Sequence, residues 1–519
     1  MKGGRWVALA VAVALLVLGW WALRRRTGEP PPGPNVLFVV WDTTRADRMS
    51  LYGYGRPTTP KLEAWAKDAV VFDRATSPAI WTLPAHAAMF TGLPPPSIGA
   101  DERWLWLDDH HLTIAEHFAQ HGYDTFSFAA NTLLNEDTNL VQGFRVRLNS
   151  YRGKIAKIAK VRTREKILPG DLSNELAPGW KRPEHGAHNS EWGRAVFKEA
   201  APIGVDAFLA WLDRRPTAEQ PFFAFLNLME AHTPRIPSRA AREQVIGDDP
   251  DLIARGLATD AAHIRLHFYN FGKQDYTEDE LEAIGAVYDA TLAELDAETD
   301  RLLAGLGSRG LLDDTIVVLT ADHGENLGDH HLFNHRFALW DTLLHVPLVI
   351  RYPALAPRRV TRPVSTIDLF ATLSRLAGVP EPPGIAAGDL LADASSPAVA
   401  TMALPVRREI ETVQHVHPDV AIEPWLRTGD AVVDGTAKLV RYSDGSRTIY
   451  DLATDPGETN AIADAGRAEE LGRAIDTWLG SFPPYDPALR GPKDRPANVK
   501  EQQRELREEL EALGYTTED

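Results

Sequence analysis

The feature that most constrains this chain is a set of apolar runs, each of strand length and each ending on a polar residue. Asn35 to Trp41 reads NVLFVVW and stops at Asp42; Pro221 to Met229 reads PFFAFLNLM and delivers Glu230 and His232; Thr315 to Thr320 reads TIVVLT and delivers Asp322, His323 and Glu325. A strand apolar on both faces belongs in a parallel sheet covered by helices on either side. Tyr123 to Ala129 and His345 to Arg351 supply further strands. Helical segments alternate with them at Leu62 to Val71 and Leu112 to His121. A longer helix opens on a capping box of Thr277 and Glu280 and continues through Leu281, Ile284, Val287, Tyr288 and Leu292. The alternation predicts an α/β fold of βαβ construction. Ligands collect at the carboxyl ends of strands in such sheets, which makes Asp42, His232, Asp322 and His323 candidate site residues by position.

A second stretch, Ser77 to Gly92, reads SPAIWTLPAHAAMFTG. Pro84 suits the first turn of a helix, where no backbone partner is needed, and Ala85 to Phe90 continue in good helix formers apart from His86. Thr82 is therefore expected just before a helix N-terminus, where unpaired N–H groups and the helix dipole favour a sulfate or phosphate. Two readings stand: Thr82 as an N-cap, and Thr82 as a reactive hydroxyl.

The chain of 519 residues carries a formal net charge of −17 and offers no basic face for nucleic acid. It has no cysteine, which excludes disulfides, thiolate metal sites and a Cys nucleophile. Trp6 to Leu23 is an apolar run of 18 residues between Lys2 and Arg5 on one side and Arg24, Arg25 and Arg26 on the other, and it reads as a membrane anchor or uncleaved signal over 1–26. A Pro-rich linker at 27–34 precedes a catalytic domain at 35–380, with a basic, polar insertion near 145–215. Pro, Gly, Ala and Ser mark a boundary around 380–400. Beyond it, a C-terminal subdomain at 395–519 is expected to hold a small antiparallel sheet, with turns at Asp434-Gly435 and Asp444-Gly445, and helices at Ala468 to Leu479 and Glu501 to Leu513. His415-x-His417 has metal-like spacing in a Pro-flanked, irregular segment and is expected to face solvent, since two His leave a metal underligated.

Two carboxylates and an imidazole at strand ends can bind a divalent cation, and a cation beside Thr82 would lower the hydroxyl pKa and screen an incoming anion. Six blocks occur in order: NVLFVVWDTTRADRMSLYGYG, WTLPAHAAMFTG, His232-Thr-Pro, LTADHGENLGDH, HVPLVI and IYDLATDPGETN. On these blocks the chain resembles the sulfatases of the alkaline phosphatase superfamily over Asn35 to Ala463. The resemblance implies a large mixed, mostly parallel sheet sandwiched by helices, followed by a smaller C-terminal α+β domain. It implies Asp42, Asp322 and His323 as metal ligands, with Thr82 at the nucleophile position and also touching the metal. His232 and His335 match positions that contact the transferred group or protonate the leaving oxygen.

The departures from the family are equally specific. Family sulfatases convert a Cys or Ser to formylglycine inside Cys/Ser-x-Pro-x-Arg, whereas here the pattern is Thr82-x-Pro84-x-His86. Thr cannot be that precursor, and His86, counted with the catalytic set, replaces the Arg. Thr82 resembles instead the phosphoryl-transfer branches, such as phosphoethanolamine transferases. Thr43 stands where many calcium sulfatases have a second Asp, so manganese or zinc joins calcium as the expected single divalent metal.

The expected function is a metal-dependent hydrolase of a sulfate ester, membrane-anchored with its catalytic domain periplasmic or extracellular. The substrate is a sulfated or phosphorylated small molecule, glycan or lipid. The alternatives are a phosphoryl or phosphonate ester hydrolase or phosphotransferase acting through Thr82, and a catalytically silent anion-binding relative.

Overall fold

The computed structural model describes residues 33–166, 198–215, 219–247, 249–261, 263–386, 388–393, 397–404 and 407–490. The expected anchor, the middle of the 145–215 insertion and the expected helix at Glu501 to Leu513 lie outside these residues. Among the described residues no helix is long and apolar enough to cross a membrane.

A nine-stranded sheet forms the centre. Its strands are β1 (Asn35–Trp41), β2 (Val70–Thr76), β3 (Asp124–Ala129), β4 (Val146–Asn149), β5 (Phe222–Leu228), β6 (Thr315–Thr320), β9 (His345–Val346), β10 (Leu348–Arg351) and β11 (Arg358–Ser365); a two-stranded ribbon, β7 (Asn326–Leu327) and β8 (Phe333–Asn334), stands apart. The order is β11-β2-β10-β6-β1-β5-β3-β4, with β9 also on β2, and only β9 and β10 run against the rest. The sheet is thus mixed and mostly parallel. β1 lies between β5 and β6 in a register that pairs Trp41 with Leu228 and Val40 with Thr320. That register brings the carboxyl ends of three strands level, and the Asp42 N–H closes the ladder on the Leu228 carbonyl at 2.8 Å.

Alternate residues of β1 serve opposite cores. Val36, Phe38 and Val40 face helix α1 (Thr82–Thr91), whereas Leu37, Val39 and Trp41 face α4 (Glu278–Ser308), with α2 (Ile114–Gln120) on the first side and α3 (Ala200–Arg214) on the second. Phe38, Phe90 and Phe225 meet edge to face at 5.0–6.4 Å, each burial contributing roughly 1.5–3 kcal/mol. α4 opens on the capping box of Thr277 and Glu280. All ten residues of α1 are buried, so it is clamped rather than amphipathic. It ends at Gly92, whose φ of 65° is left-handed and whose absent Cβ would lie 2.9 Å from Ile385.

Beyond the central sheet, β12 (Ala398–Met402), β13 (Gly429–Asp434), β14 (Ala437–Tyr442) and β15 (Arg447–Asp451) form an antiparallel sheet. Helix α5 (Ala465–Gly480) packs Ala468, Leu471 and Ile475 onto its Val399, Val432, Leu439 and Ile449.

Three local expectations are corrected. The helix read over Leu62 to Val71 spans Pro60–Trp65, and β2 starts at Val70, because Val70, Val71 and Phe72 are β-branched or aromatic and fill a slot between β10 and β11. Within the insertion, Val146–Asn149 is an edge strand on β3, too short to announce itself by periodicity. The run His345 to Arg351 is split at Pro347, which has no N–H for the ladder, and its carbonyl accepts from the Thr320 hydroxyl at 2.7 Å.

Candidate active site

The site lies where β1, β5, β6 and β3 end. Asp42 is fully buried, and its Oδ2 accepts from Asn131 Nδ2 and Asn227 Nδ2, both at 2.9 Å. Asp322, equally buried, takes the backbone N–H groups of Thr43 (3.1 Å) and His323 (2.9 Å) on Oδ1. The other oxygen of each carboxylate, Asp42 Oδ1 and Asp322 Oδ2, is buried without a hydrogen-bond partner. His323 Nδ1 lies 2.9 Å from the Gly324 carbonyl, which requires a proton on that nitrogen and leaves Nε2 as a lone-pair donor. Nε2 is 3.3 Å from Asp322 Oδ2 and 3.4 Å from Thr82 Oγ1.

Donor atoms of Asp42, Asp322 and His323 all lie within 4.8 Å of one another. Burial, then the Asp322 charge, pushes the Asp42 carboxyl up to about 6; burial raises Asp322 as well; burial and the neighbouring His335 push His323 down to about 3. Two unpartnered carboxylate oxygens converging with an imidazole lone pair form an oxygen and nitrogen set that fits one divalent cation. Thr82 Oγ1 stands beside it as a fourth donor.

Thr82 reaches this point through a tightly held loop. Ser77 N–H donates to the Leu344 carbonyl at 2.8 Å and its hydroxyl donates to the Asp322 carbonyl, tying the loop to β6 and β9. Trp81, in extended conformation, is the helix N-cap, and Thr82 is the first helical residue. The N-cap reading of Thr82 is therefore replaced: its hydroxyl makes no capping bond and accepts from Asn131 Nδ2 at 3.0 Å. Pro84 still sits within the first turn, where its missing N–H costs nothing. His86, one turn on, holds the Thr82 carbonyl with Nδ1 at 2.9 Å, lies 3.6 Å from Asp322 and packs its ring against Phe90 and Phe225; burial pushes its pKa down.

A row of imidazoles forms the opposite wall. The His335 ring lies 4.4 Å from that of His323 and 5.3 Å from that of His232. His335 Nδ1 is 3.1 Å from Glu325 Oε1, and Glu325 Oε2 pairs with Arg235 at 2.8 Å, itself held by Asp260. Burial acts to raise Glu325, but His335 and Arg235 outweigh it and hold the carboxyl below its usual range. His232 Nδ1 lies 2.6 Å from the Thr233 carbonyl, and the His232 and Met229 carbonyls accept from the buried Lys198 ammonium, which burial pushes down to about 7. Burial, then His335, pushes His232 well below its ordinary value.

The structure thus gathers Asp42, Thr82, His86, Asp322 and His323 at one point, with Asp42 linked to Thr82 through Asn131, and sets His232 and His335 in the adjoining row. Asn131 and Asn227 join the site beyond the residues expected from the sequence, and Glu325, delivered at the end of β6, joins it through His335. Asn227 is the one polar residue of an apolar strand, and Asn131 follows the end of β3 by two residues, so the strand-end rule that singled out Asp42 applies to both. Thr43 adopts φ 60° and donates its N–H to Asp322, while its hydroxyl is buried without a partner. His415 is exposed, on a helix (Arg407–Val416) instead of an irregular segment, and His417 meets the edge of Phe268.

Comparison with known proteins accounts for this arrangement. The profile of the family described as Sulfatase matches residues 34–379. Arylsulfatase K of Bos taurus is 25% identical over 523 aligned residues, covering 92% of this chain and 88% of that protein. An ulvan-active sulfatase of Formosa agariphila is 25% identical over 467 residues, covering 87% and 81%. Among solved structures, a phosphonate monoester hydrolase of Agrobacterium radiobacter superposes with a TM-score of 0.61 at 24% identity, covering 86% of this chain and 95% of that one. A protein solved with its substrate D-glucosamine-2-N,6-O-disulfate superposes at 0.59 and 19% identity, covering 89% and 100%. A profile match across most of the described chain, on a fold whose strand ends assemble the expected carboxylates and imidazoles, places this protein in the sulfatase family of hydrolases.

Proposed function

We propose that this protein is a metal-dependent hydrolase of a sulfate ester in which the Thr82 hydroxyl is the nucleophile. The observation that carries the reading is the position of Thr82 Oγ1, 3.0 Å from Asn131 Nδ2 and 3.4 Å from His323 Nε2, at the start of a buried helix. A divalent cation held by Asp42, Asp322, His323 and Thr82 would supply Lewis acidity toward an ester oxygen and toward the nucleophile. Calcium is the family expectation, while the nitrogen donor and Thr43 favour manganese or zinc.

In the first half-reaction Thr82 Oγ, its proton released to solvent, bonds to sulfur as the bond from sulfur to the leaving oxygen breaks. The N–H groups of Thr82 and Leu83, ahead of Pro84 in the first turn of α1, would receive non-bridging oxygens. His335, oriented through Nδ1 by Glu325, has its other nitrogen for proton exchange and delivers a proton to the leaving oxygen, with His232 beside it. In the second half-reaction water attacks the sulfur of the Thr82 ester as the bond from sulfur to Oγ breaks; one water proton passes to His335, and Thr82 Oγ takes back a proton from solvent. Asn131 and Asn227 hold Asp42, and His86 holds the Thr82 carbonyl.

A second reading is phosphoryl or phosphonate ester hydrolysis, or transfer to an acceptor, through the same Thr82. It is supported by a Thr where formylglycine chemistry needs Cys or Ser, and by the likeness to a phosphonate monoester hydrolase. The apolar run at Trp6 to Leu23 supports anchoring to a membrane with the catalytic domain outside the cytoplasm, acting on a sulfated or phosphorylated glycan, lipid or small molecule. Turnover of p-nitrophenyl sulfate, p-nitrophenyl phosphate and p-nitrophenyl phenylphosphonate with calcium, manganese and zinc separates the two readings. Mass spectrometry of the Thr82 peptide after trapping with a slow substrate identifies the transferred group. Full activity in Thr82→Ala would overturn the nucleophile role in both.

A further inference from the structure

The loop that delivers His335 is strained. His330, His331, Asn334 and Phe337 all have positive φ, between 49° and 68°, which L side chains rarely adopt without an external hold. Part of that hold comes from the antiparallel sheet of the C-terminal subdomain. The His330 ring stacks on Trp340 at 4.0 Å, and Trp340 meets the edge of Tyr450 in β15 at 5.7 Å. Glu458 then accepts the Asp341 N–H at 2.5 Å, while Lys438 Nζ reaches Asp341 Oδ1 at 2.8 Å and Glu458 Oε1 at 2.6 Å. Lys438 is wholly buried and Glu458 nearly so, and Arg74 of β2 completes the cluster on Asp341.

The residues following Asp341 carry this hold to the site. The Thr342 and Leu343 carbonyls accept from Glu325 N–H at 2.9 Å and Gly324 N–H at 2.8 Å. Gly324 is required there, because a Cβ would stand 2.0 Å from the Thr342 oxygen. The Gly324 carbonyl fixes the His323 ring, and the Glu325 carboxylate fixes His335. The same sheet touches the nucleophile loop: Thr401 N–H of β12 donates to the Pro78 carbonyl at 2.9 Å, next to an isolated bridge between Ala79 and Thr401. A buried ion cluster is a poor device for stability alone, since apolar residues of similar volume often do as well; what it supplies is direction.

We infer that the C-terminal subdomain fastens both active-site loops, with Lys438 and Glu458 as positioning residues that set His323 and His335 through Asp341. The inference rests on the proposed roles of those two histidines. It is tested in the full-length protein with Glu458→Gln, which keeps volume and acceptor while deleting the charge. Expected are a kcat reduced by about tenfold on whichever p-nitrophenyl ester the wild type cleaves, a KM changed far less, and Mn²⁺ binding by calorimetry weakened by about tenfold. A merely structural role would lower the melting temperature and leave kcat and Mn²⁺ affinity of the folded protein unmoved. A folded Glu458→Gln protein with both constants at the wild-type level overturns the inference. Should that variant fail to fold, Trp340→Phe, which loosens the stack on His330 without touching a charge, carries the same expectations and the same refutation. If the wild type cleaves none of the esters, the proposed reaction has failed, and Mn²⁺ affinity alone decides the fastening.

Discussion

At the scale of single residues, the proposed chemistry converges on the Thr82 hydroxyl, which is buried, makes no capping bond and accepts from one amide. Thr82→Ala removes the proposed attacking oxygen and should lower kcat/KM by on the order of 10⁴-fold. Thr82→Ser keeps the oxygen and should retain a substantial part of the activity, a contrast that steady-state kinetics with the three esters reads directly. Asn131 is the sharper test, because one Nδ2 group bridges Thr82 Oγ1 and Asp42 Oδ2 at 3.0 and 2.9 Å. Asn131→Ala is expected to cost about 10²-fold in kcat, the scale of losing one preorganised donor. Asn131→Asp should be worse than Asn131→Ala, since it would place a third carboxylate beside Asp42 and Asp322; the reverse order in measured kcat would sink this account.

At the scale of elements, two substitutions probe how the helices beside the site are fixed. Gly92→Ala forces a side chain into the left-handed end of α1 and against Ile385, and should destabilise by about 1–3 kcal/mol in urea unfolding. Asp296 of α4 accepts the Lys61 and Leu62 N–H groups at 2.9 and 2.7 Å, capping the helix Pro60–Trp65 from another element. Burial nevertheless pushes this carboxyl from its ordinary 3.8 up to about 6. The folded state then binds the proton more tightly than the unfolded one, so this group makes stability fall as pH rises from about 4 to about 6 and level off above. Asp296→Asn should flatten that window, a change on the order of 1–3 kcal/mol between unfolding midpoints at the two ends. Elements of this kind were unevenly legible. β1, β5 and β6 could be read because each is apolar on both faces, and α4 because its capping box and apolar spacing agree. β2 and β4 could not, because a strand such as β2, interrupted by the charged pair Asp73 and Arg74 at its centre, looks locally like the end of a helix, and β4 is only four residues long. The same limit applied to the site: Asp42, Asp322 and His323 could be read from strand ends, whereas Glu325 gains its meaning only from Arg235 and His335, brought to it by the fold.

At the scale of the whole molecule, the sheet spends much of its order on holding like charges together. β1 and β6 are parallel neighbours, so their aligned ends must place Asp42 beside Asp322, and the unpartnered oxygen of each faces the same small space. Without a cation this repulsion works against the folded state, and burial amplifies it. Chelation with EDTA should therefore lower the melting temperature, and a metal present at about a hundred times its Kd should restore roughly 2.7 kcal/mol. Asp42→Asn separates this electrostatic account from ordinary loss of a contact. It removes one of the two charges while keeping an oxygen to accept from Asn131 or Asn227, so in EDTA it should melt above the wild type, by a few degrees for about 1–2 kcal/mol. With Mn²⁺ or Ca²⁺ added the order should invert, because the wild type gains the binding energy and the variant does not. Calorimetric scans of both proteins with and without metal read the crossing. A variant that melts below the wild type under both conditions would mean that Asp42 acts in the fold through its bonds to the two asparagines, and not as half of a cation site.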